Sequence, residues 1–228
     1  MATMNTQLVM LSRGAEAEIY LVDFFGVKAV LKKRVSKKYR APLFDELFIK
    51  TRTRTEARVL SELYLSGLKV PGVLFVDEDK GVLILEYIEG ERATEVFEKS
   101  EFEKLISISR EIGRFASVMH SLRIYHGDFT LANIIIADDN VYVIDFGLAG
   151  YSDDIEEYAI DLHLMARSIH ASKPEYAEKL VNAMLKEYKL HYKGDAEEVI
   201  SRMKEIRVRG RYVDRELRKA IMRERYID

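Results

Sequence analysis

No cysteine occurs among the 228 residues, which excludes disulfides, cysteine-ligated zinc and thiol catalysis and fits a reducing interior compartment. Nowhere do about 18 apolar residues run together. The polar start, Met1 to Gln7, is followed by no apolar stretch long enough for a signal peptide. These absences predict an unprocessed, cytoplasmic chain with no membrane association; the isolated chain is expected to be monomeric. Neither sign of charge dominates. The 36 Lys and Arg stand against 38 Asp and Glu, a formal net charge of -2, so a polyanionic partner would have to be met by a local patch. Repeats and low-complexity linkers are missing as well, whereas the 48% hydrophobic content is enough for a substantial core.

The first part of the chain reads as strands. Leu8 to Leu11, Ile19 to Phe25 and Lys28 to Lys33 are short apolar runs punctuated by Gly14 and Gly26. From Thr53 to Leu68, Ala57, Leu60, Leu63 and Tyr64 fall at helical spacing and stop at Gly67. Val73 to Val76 and Val82 to Tyr87 then flank a turn, a hairpin leading to a connection near Gly90. Beyond it the pattern becomes helical. Ser100 with Glu103 reads as a capping box opening a helix through Ile108, Ile112, Phe115 and Met119, and Ser172 with Glu175 reads as another. Between them lie two short strands, Asn133 to Ala137 and Val141 to Asp145. A strand-rich part followed by a helix-rich one predicts an α+β, bilobal chain: residues 1–89 a β-rich lobe with one helix, residues 90–228 a mainly helical lobe.

The most specific signal is His126-Gly127-Asp128 followed by Asn133, then Asp145-Phe146-Gly147 after one hairpin. It matches the kinase pattern His-x-Asp-x-x-x-x-Asn and Asp-Phe-Gly. Phosphoryl transfer from ATP needs negative oxygens neutralised, and the carboxylate of Asp145 with the amide oxygen of Asn133 supplies hard ligands for Mg²⁺. Asp128 would orient or deprotonate the attacking hydroxyl or water. His126 is read as holding the loop by packing and hydrogen bonding; His120, His163, His170 and His191 show no ligand spacing and are read as structural. Ala29-Val30-Leu31-Lys32 resembles the kinase strand whose lysine meets the α- and β-phosphates. Lys33 and Arg34 compete with Lys32 for that role. Glu56 is the carboxylate expected to fix the lysine, with Glu46 and Glu62 as competitors. Leu85-Glu86-Tyr87-Ile88 would be the hinge, with Glu86 and Ile88 at the adenine edge and Ile19, Val30, Ile135 and Ile144 as apolar walls.

Two kinase features are depleted. Of the glycine-rich loop only Gly14 remains, in Gly14-Ala15-Glu16-Ala17-Glu18-Ile19; Gly14, Ala15 and Ala17 are left to approach phosphate by their backbones, beside two unexpected carboxylates. After Gly147 there is no room for a peptide-docking activation segment, and Gly127 stands where an arginine normally pairs with a phosphorylated loop.

Together these residues resemble the small atypical kinases of the KEOPS complex, the PRPK family. The resemblance rests on Gly14-Ala15-Glu16-Ala17, Lys32 with the basic stretch to Arg40 and Pro42, Arg52 to Arg58 around Glu56, His126-Gly127-Asp128, Asp145-Phe146-Gly147, Asp161 in a helix, and a basic tail. It implies a minimal bilobal kinase that autophosphorylates and hydrolyses ATP beside a threonylcarbamoyl transferase subunit, supporting threonylcarbamoyladenosine formation in tRNA. The tail, with Arg207, Arg209 and Arg211, would reach tRNA or an acidic partner. Aminoglycoside- or choline-type kinases, RIO kinases, and a pseudokinase scaffold that only binds remain open alternatives at this level.

Overall fold

The computed structural model describes residues 8–14 and 16–208. In chain order the elements are β1 (Val9–Arg13), β2 (Ala17–Phe24), β3 (Val27–Arg34), α1 (Pro42–Leu65), β4 (Val73–Asp77), β5 (Val82–Glu86), β6 (Glu91–Arg92), α2 (Ala93–Lys99), α3 (Phe102–Ser121) and β7 (Ile124–Tyr125). A 3₁₀ turn (Leu131–Asn133) leads to β8 (Ile134–Ala137), β9 (Asn140–Val143), β10 (Gly150–Tyr151), α4 (Ile155–Ser172) and α5 (Ala177–His191). A last helix, α6, covers 196–208. The chain is thus a mixed helix-and-sheet protein whose residues cluster into two compact units. One joins the chain up to Val96 with Ala132–Gly150; the other joins Phe97–Leu131 with the chain from Tyr151 onward.

The first unit is built on a five-stranded antiparallel sheet in the order β1-β2-β3-β5-β4. Phe25 and Gly26 both take positive φ, 55° and 84°, which gives the two-residue turn whose twist suits paired strands, and the Asp23 carboxylate accepts the Gly26 amide. Phe24 therefore pairs with Val27, and the register places Ile19 opposite Lys32 and Ala17 opposite Arg34. Asp138 and Asp139 repeat the device, at φ 47° and 59°, between β8 and β9, which join β6 in a second small sheet.

Helix α1 is longer than its periodicity predicts. It starts not at Thr53 but at Pro42, which suits a first helical position because its missing amide hydrogen would have no partner there. The added turns were hidden because their apolar residues face out: Leu43, Phe44 and Leu47 are exposed. Only from Thr53 on do Glu56, Val59, Leu60 and Leu63 bury one face. Gly67, at φ 81°, closes the helix with its amide on the Tyr64 carbonyl and that of Leu68 on Leu63.

In the second unit α3 and α5 pack closely. A side chain at Gly113 would collide with the Met184 carbonyl, so only glycine allows this approach. Around it Leu105, Ile112, Phe115 and Met119 of α3 join Leu180, Met184 and Tyr188 of α5 in the core. Neither expected capping box forms. Glu101, not Ser100, precedes α3 and makes no side-chain cap; Ser172 ends α4, and α5 opens after Tyr176. Caps form instead at Asp154, whose carboxylate accepts the Glu156 amide at the start of α4, and at Asp195, whose carboxylate accepts the Glu197 and Glu198 amides at the start of α6.

Candidate active site

Strand β3 alternates its side chains, so Val30, Lys32 and Arg34 share one face. Lys32 and Arg34 are both buried on it, and both reach Glu56, which α1 buries completely. Lys32 Nζ donates to Glu56 Oε1 at 2.6 Å and Arg34 Nη2 to Glu56 Oε2 at 2.6 Å, so one carboxylate holds two cations, one on each oxygen. Lys32 Nζ also donates to Asp145 Oδ1 at 2.7 Å. Of the competing residues, Lys33 and Glu46 are exposed. The role of Arg34 as the second guest of Glu56 was not apparent from sequence. Its only signal is its spacing, two residues after Lys32 on a strand.

Burial opposes charge on Lys32, but the Glu56 and Asp145 carboxylates outweigh it, and its pKa is raised. A raised lysine contributes stability that is fully present below the unfolded value of 10.5 and is lost only as pH climbs through the folded value. Lys32 therefore stays cationic across the physiological range.

Asp145 sits at φ 62°, a left-handed conformation that costs a non-glycine residue energy and is concentrated at functional sites. That turn sends its carboxylate back to Lys32 and to the Gly147 amide, 3.3 Å from Oδ1. A side-chain carbon at Gly147 would stand 3.0 Å from Lys32 Nζ and 3.1 Å from Asp145 Oδ1, so glycine keeps this corner open. Asn133 lies close by along the backbone, since its carbonyl accepts the Ile144 amide at 2.9 Å. Among the described residues no three His, Cys, Asp or Glu side chains form a metal cluster. One carboxylate and one amide oxygen, with the carboxylate 55% exposed, fit a small hard cation that keeps waters and takes its remaining ligands from phosphates.

The other residues expected around a nucleotide also belong to the first unit. Gly14 ends the loop after β1, its amide on the Ala17 carbonyl; Ala15 lies outside the described residues. Ala17 is buried, while Ile19, Val30, Ile135 and Ile144 are half-buried, as apolar walls with an open side would be. Glu86 closes β5, its amide on the Gly72 carbonyl and its carboxylate accepting the Gly72 amide, and Ile88 is buried just beyond.

Asp128 belongs to the second unit, where its side chain is exposed and its loop is held from below. Asp161, wholly buried on α4, accepts the His126 amide on Oδ2 at 2.6 Å and the Gly127 amide on Oδ1 at 2.9 Å. His120 approaches Oδ2 at 3.4 Å through Nε2, and its Nδ1 lies 3.1 Å from the Tyr188 hydroxyl. Burial, then Tyr192, Tyr158 and Asp161, push the Tyr188 phenol far up, so it keeps its proton and can donate to Nδ1, leaving the His120 Nε2 hydrogen for Asp161. The buried His126 ring accepts the Asp128 amide on Nδ1 at 3.2 Å, the loop-holding part expected of it. Gly127 takes φ 81°, which lets successive amides converge on one carboxylate. In the sequence Asp161 belongs to the family pattern without a role; its signal is an acid on the face of α4 shared with the buried Tyr158, Leu162 and Met165.

Asp161→Asn tests this support. An amide nitrogen would face one of the two backbone N–H groups, leaving it buried and unpaired. Stability should fall by about 2–3 kcal/mol in urea unfolding, with a parallel loss of ATP turnover. An unchanged unfolding midpoint would show that the loop does not depend on Asp161.

In the tail, Arg207 lies at the end of α6, 3.7 Å from Glu178. Arg209 and Arg211 are outside the described residues.

The RIO-domain family model matches residues 27–155, more than half of the chain. The KEOPS complex subunit Bud32 of Pyrococcus abyssi is 38% identical over 214 residues, covering 90% of this chain and 97% of that relative. A probable bifunctional tRNA threonylcarbamoyladenosine biosynthesis protein of Methanothermobacter thermautotrophicus is 34% identical over 90% of this chain, which spans 37% of that longer protein. In fold, the chain is similar to the Rio2 kinase of Chaetomium thermophilum, solved as an ADP/Mg²⁺-phosphoaspartate complex: the TM-score is 0.61 at 16% identity, over 86% of this chain and 65% of that one. The buried Lys32 and Glu56 pair, the left-handed Asp145 turn and the anchored Asp128 loop are thus set in a protein-kinase-like fold, and the chain belongs to the RIO-domain proteins and, among them, to the Bud32 family of atypical kinases.

Proposed function

We propose that this chain is a Mg²⁺-dependent, ATP-using atypical serine/threonine kinase and ATPase that works as a subunit of a KEOPS complex and supports threonylcarbamoyladenosine formation in tRNA. The observation that carries the catalytic reading is the convergence of Lys32 on both Glu56 and Asp145. Held by Glu56, the Lys32 ammonium is positioned to donate to the α- and β-phosphates. Asp145 and Asn133 would hold Mg²⁺, which supplies charge neutralisation at the phosphate oxygens. Asp128 would accept the proton of the attacking hydroxyl or water, on a loop whose amides Asp161 fixes. Glu86 and Ile88, with Ile19, Val30, Ile135 and Ile144, would take the adenine.

The assembly reading is supported by the likeness to a KEOPS subunit along nearly the whole chain. The threonylcarbamoyl transferase subunit is the partner we assign, with the tail, Arg207 onward, facing tRNA or that partner. No helix among the described residues is long and apolar enough to cross a membrane, and we place the chain in the cytoplasm.

The test is the ATPase rate of the purified chain with Mg²⁺, alone and with a threonylcarbamoyl transferase subunit and tRNA. Hydrolysis that rises with both additions, with modified adenosine formed, is expected. Turnover in neither state would leave a binding-only scaffold, and turnover indifferent to the partner and tRNA would leave a free-standing kinase.

A further inference from the structure

The loop between β1 and β2 carries a negative charge beside the anion site it should serve. Glu16 stands directly before Ala17, which pairs with Arg34 across the β2–β3 hairpin, and the Glu16 carbonyl accepts the Val35 amide at 3.0 Å. Its carboxylate lies between two guanidinium groups, Oε2 3.8 Å from Arg34 Nη1 and Oε1 3.7 Å from Arg40 Nη2. Both distances are beyond hydrogen-bonding range.

The other carboxylates here are held differently. Arg34 donates to Glu56 at 2.6 Å and Arg40 to Asp45 at 3.2 Å, while Glu16 touches its two arginines through loose ion pairs alone. Arg34 Nε is buried and has no hydrogen-bond partner among the described residues. Arg34 Nη2 comes within 3.6 Å of where a side-chain carbon at Gly147 would be, the corner shared by Lys32 Nζ and Asp145. Two guanidinium groups thus flank a weakly bound, 40% exposed carboxylate, and one of them, Arg34, also reaches the corner shared by Lys32 and Asp145.

We propose that Arg34 and Arg40 form a second phosphoryl-binding subsite beside Lys32, and that the Glu16 side chain occupies it until the terminal phosphate of a nucleoside triphosphate displaces it. The proposal rests on the reading of the chain as an ATP-using enzyme. A terminal phosphate brings more charge and three acceptor oxygens, which two guanidinium forks can bind at hydrogen-bonding distance where one carboxylate does not reach. Because the Glu16 backbone is tied to Val35, the exchange needs only a rotation of its side chain. It also accounts for the missing glycines: the loop releases an anion to admit another.

The test is equilibrium binding of the β,γ-imido analogue of ATP and of AMP to the full chain with Mg²⁺, by titration calorimetry. Glu16→Gln should tighten the analogue by about threefold to fivefold, the size of a partly exposed charge pair, and leave AMP unchanged. Arg40→Gln should weaken the analogue, Arg40→Lys should restore part of the loss, and Glu16→Gln should give no gain in the Arg40→Gln background. Thermal unfolding of each variant checks that the fold is retained. A Glu16→Gln chain that binds the analogue no more tightly than the original, or gains equally for AMP, overturns the subsite while leaving the ATP reading intact. Failure of the unaltered chain to bind any adenine nucleotide overturns both.

Discussion

Asp145→Ala should reduce ATP turnover by about 10³-fold or more while the chain still folds and still binds nucleotide. The magnitude follows from removing charge stabilisation at the transferring phosphoryl group, where single preorganised groups are commonly worth two to three orders of magnitude and a lost metal ligand more. The separation between chemistry and binding follows from the geometry. Asp145 is half-exposed and touches Lys32 and the Gly147 amide, so its loss opens no cavity, and Glu56 still holds Lys32. Labelled phosphate release gives the rate and calorimetry the binding. Chelating Mg²⁺ from the unaltered chain should reproduce the same loss, and a variant keeping a tenth of its turnover would remove Asp145 from the reaction.

Glu56→Ala is the second large effect, and it falls on stability. The carboxylate is wholly buried and carries Lys32 on one oxygen and Arg34 on the other; those side chains are only 7% and 3% exposed. Breaking a buried ion pair from one side leaves an uncompensated charge and costs about 3–5 kcal/mol, and here two cations are left with a single deletion. Asp145 can still serve Lys32, but among the described residues Arg34 would keep only the distant Glu16. Urea unfolding should show the loss, and Glu46→Ala, on the exposed part of the same helix, should stay within about 0.5 kcal/mol of the parent. Equal midpoints for the two variants would mean that water reaches the cluster.

What could be read from sequence, and what could not, follows from which residues face the interior. The pairing of Lys32 with Glu56 was legible because the kinase pattern puts few residue types at few spacings, and their neighbours carry plain strand or helix periodicity. The first half of α1 was not, because Leu43, Phe44 and Leu47 point outward and break the apolar stripe on which helix reading depends. Ser100 and Ser172 matched the capping pattern without capping, since that pattern needs only two residues and is satisfied by chance near many helix starts. In sequence alone Arg34 is a rival to Lys32. That a single carboxylate could serve both is a property of α1's placement against β3, which no local pattern encodes.

The assignment of Ala132–Gly150 to the first unit has a consequence for synthesis. A ribosome delivering the chain from its amino end completes the sheet of β1 to β5 early, yet β8, β9 and the Asp145 turn must wait until the α3 stretch of the other unit has also emerged. The two units therefore mature as an interleaved pair. A fragment stopped at Val96 would carry Lys32, Arg34 and Glu56 without the Asp145 carboxylate, so this charge cluster is complete only after more than half of the chain has been made.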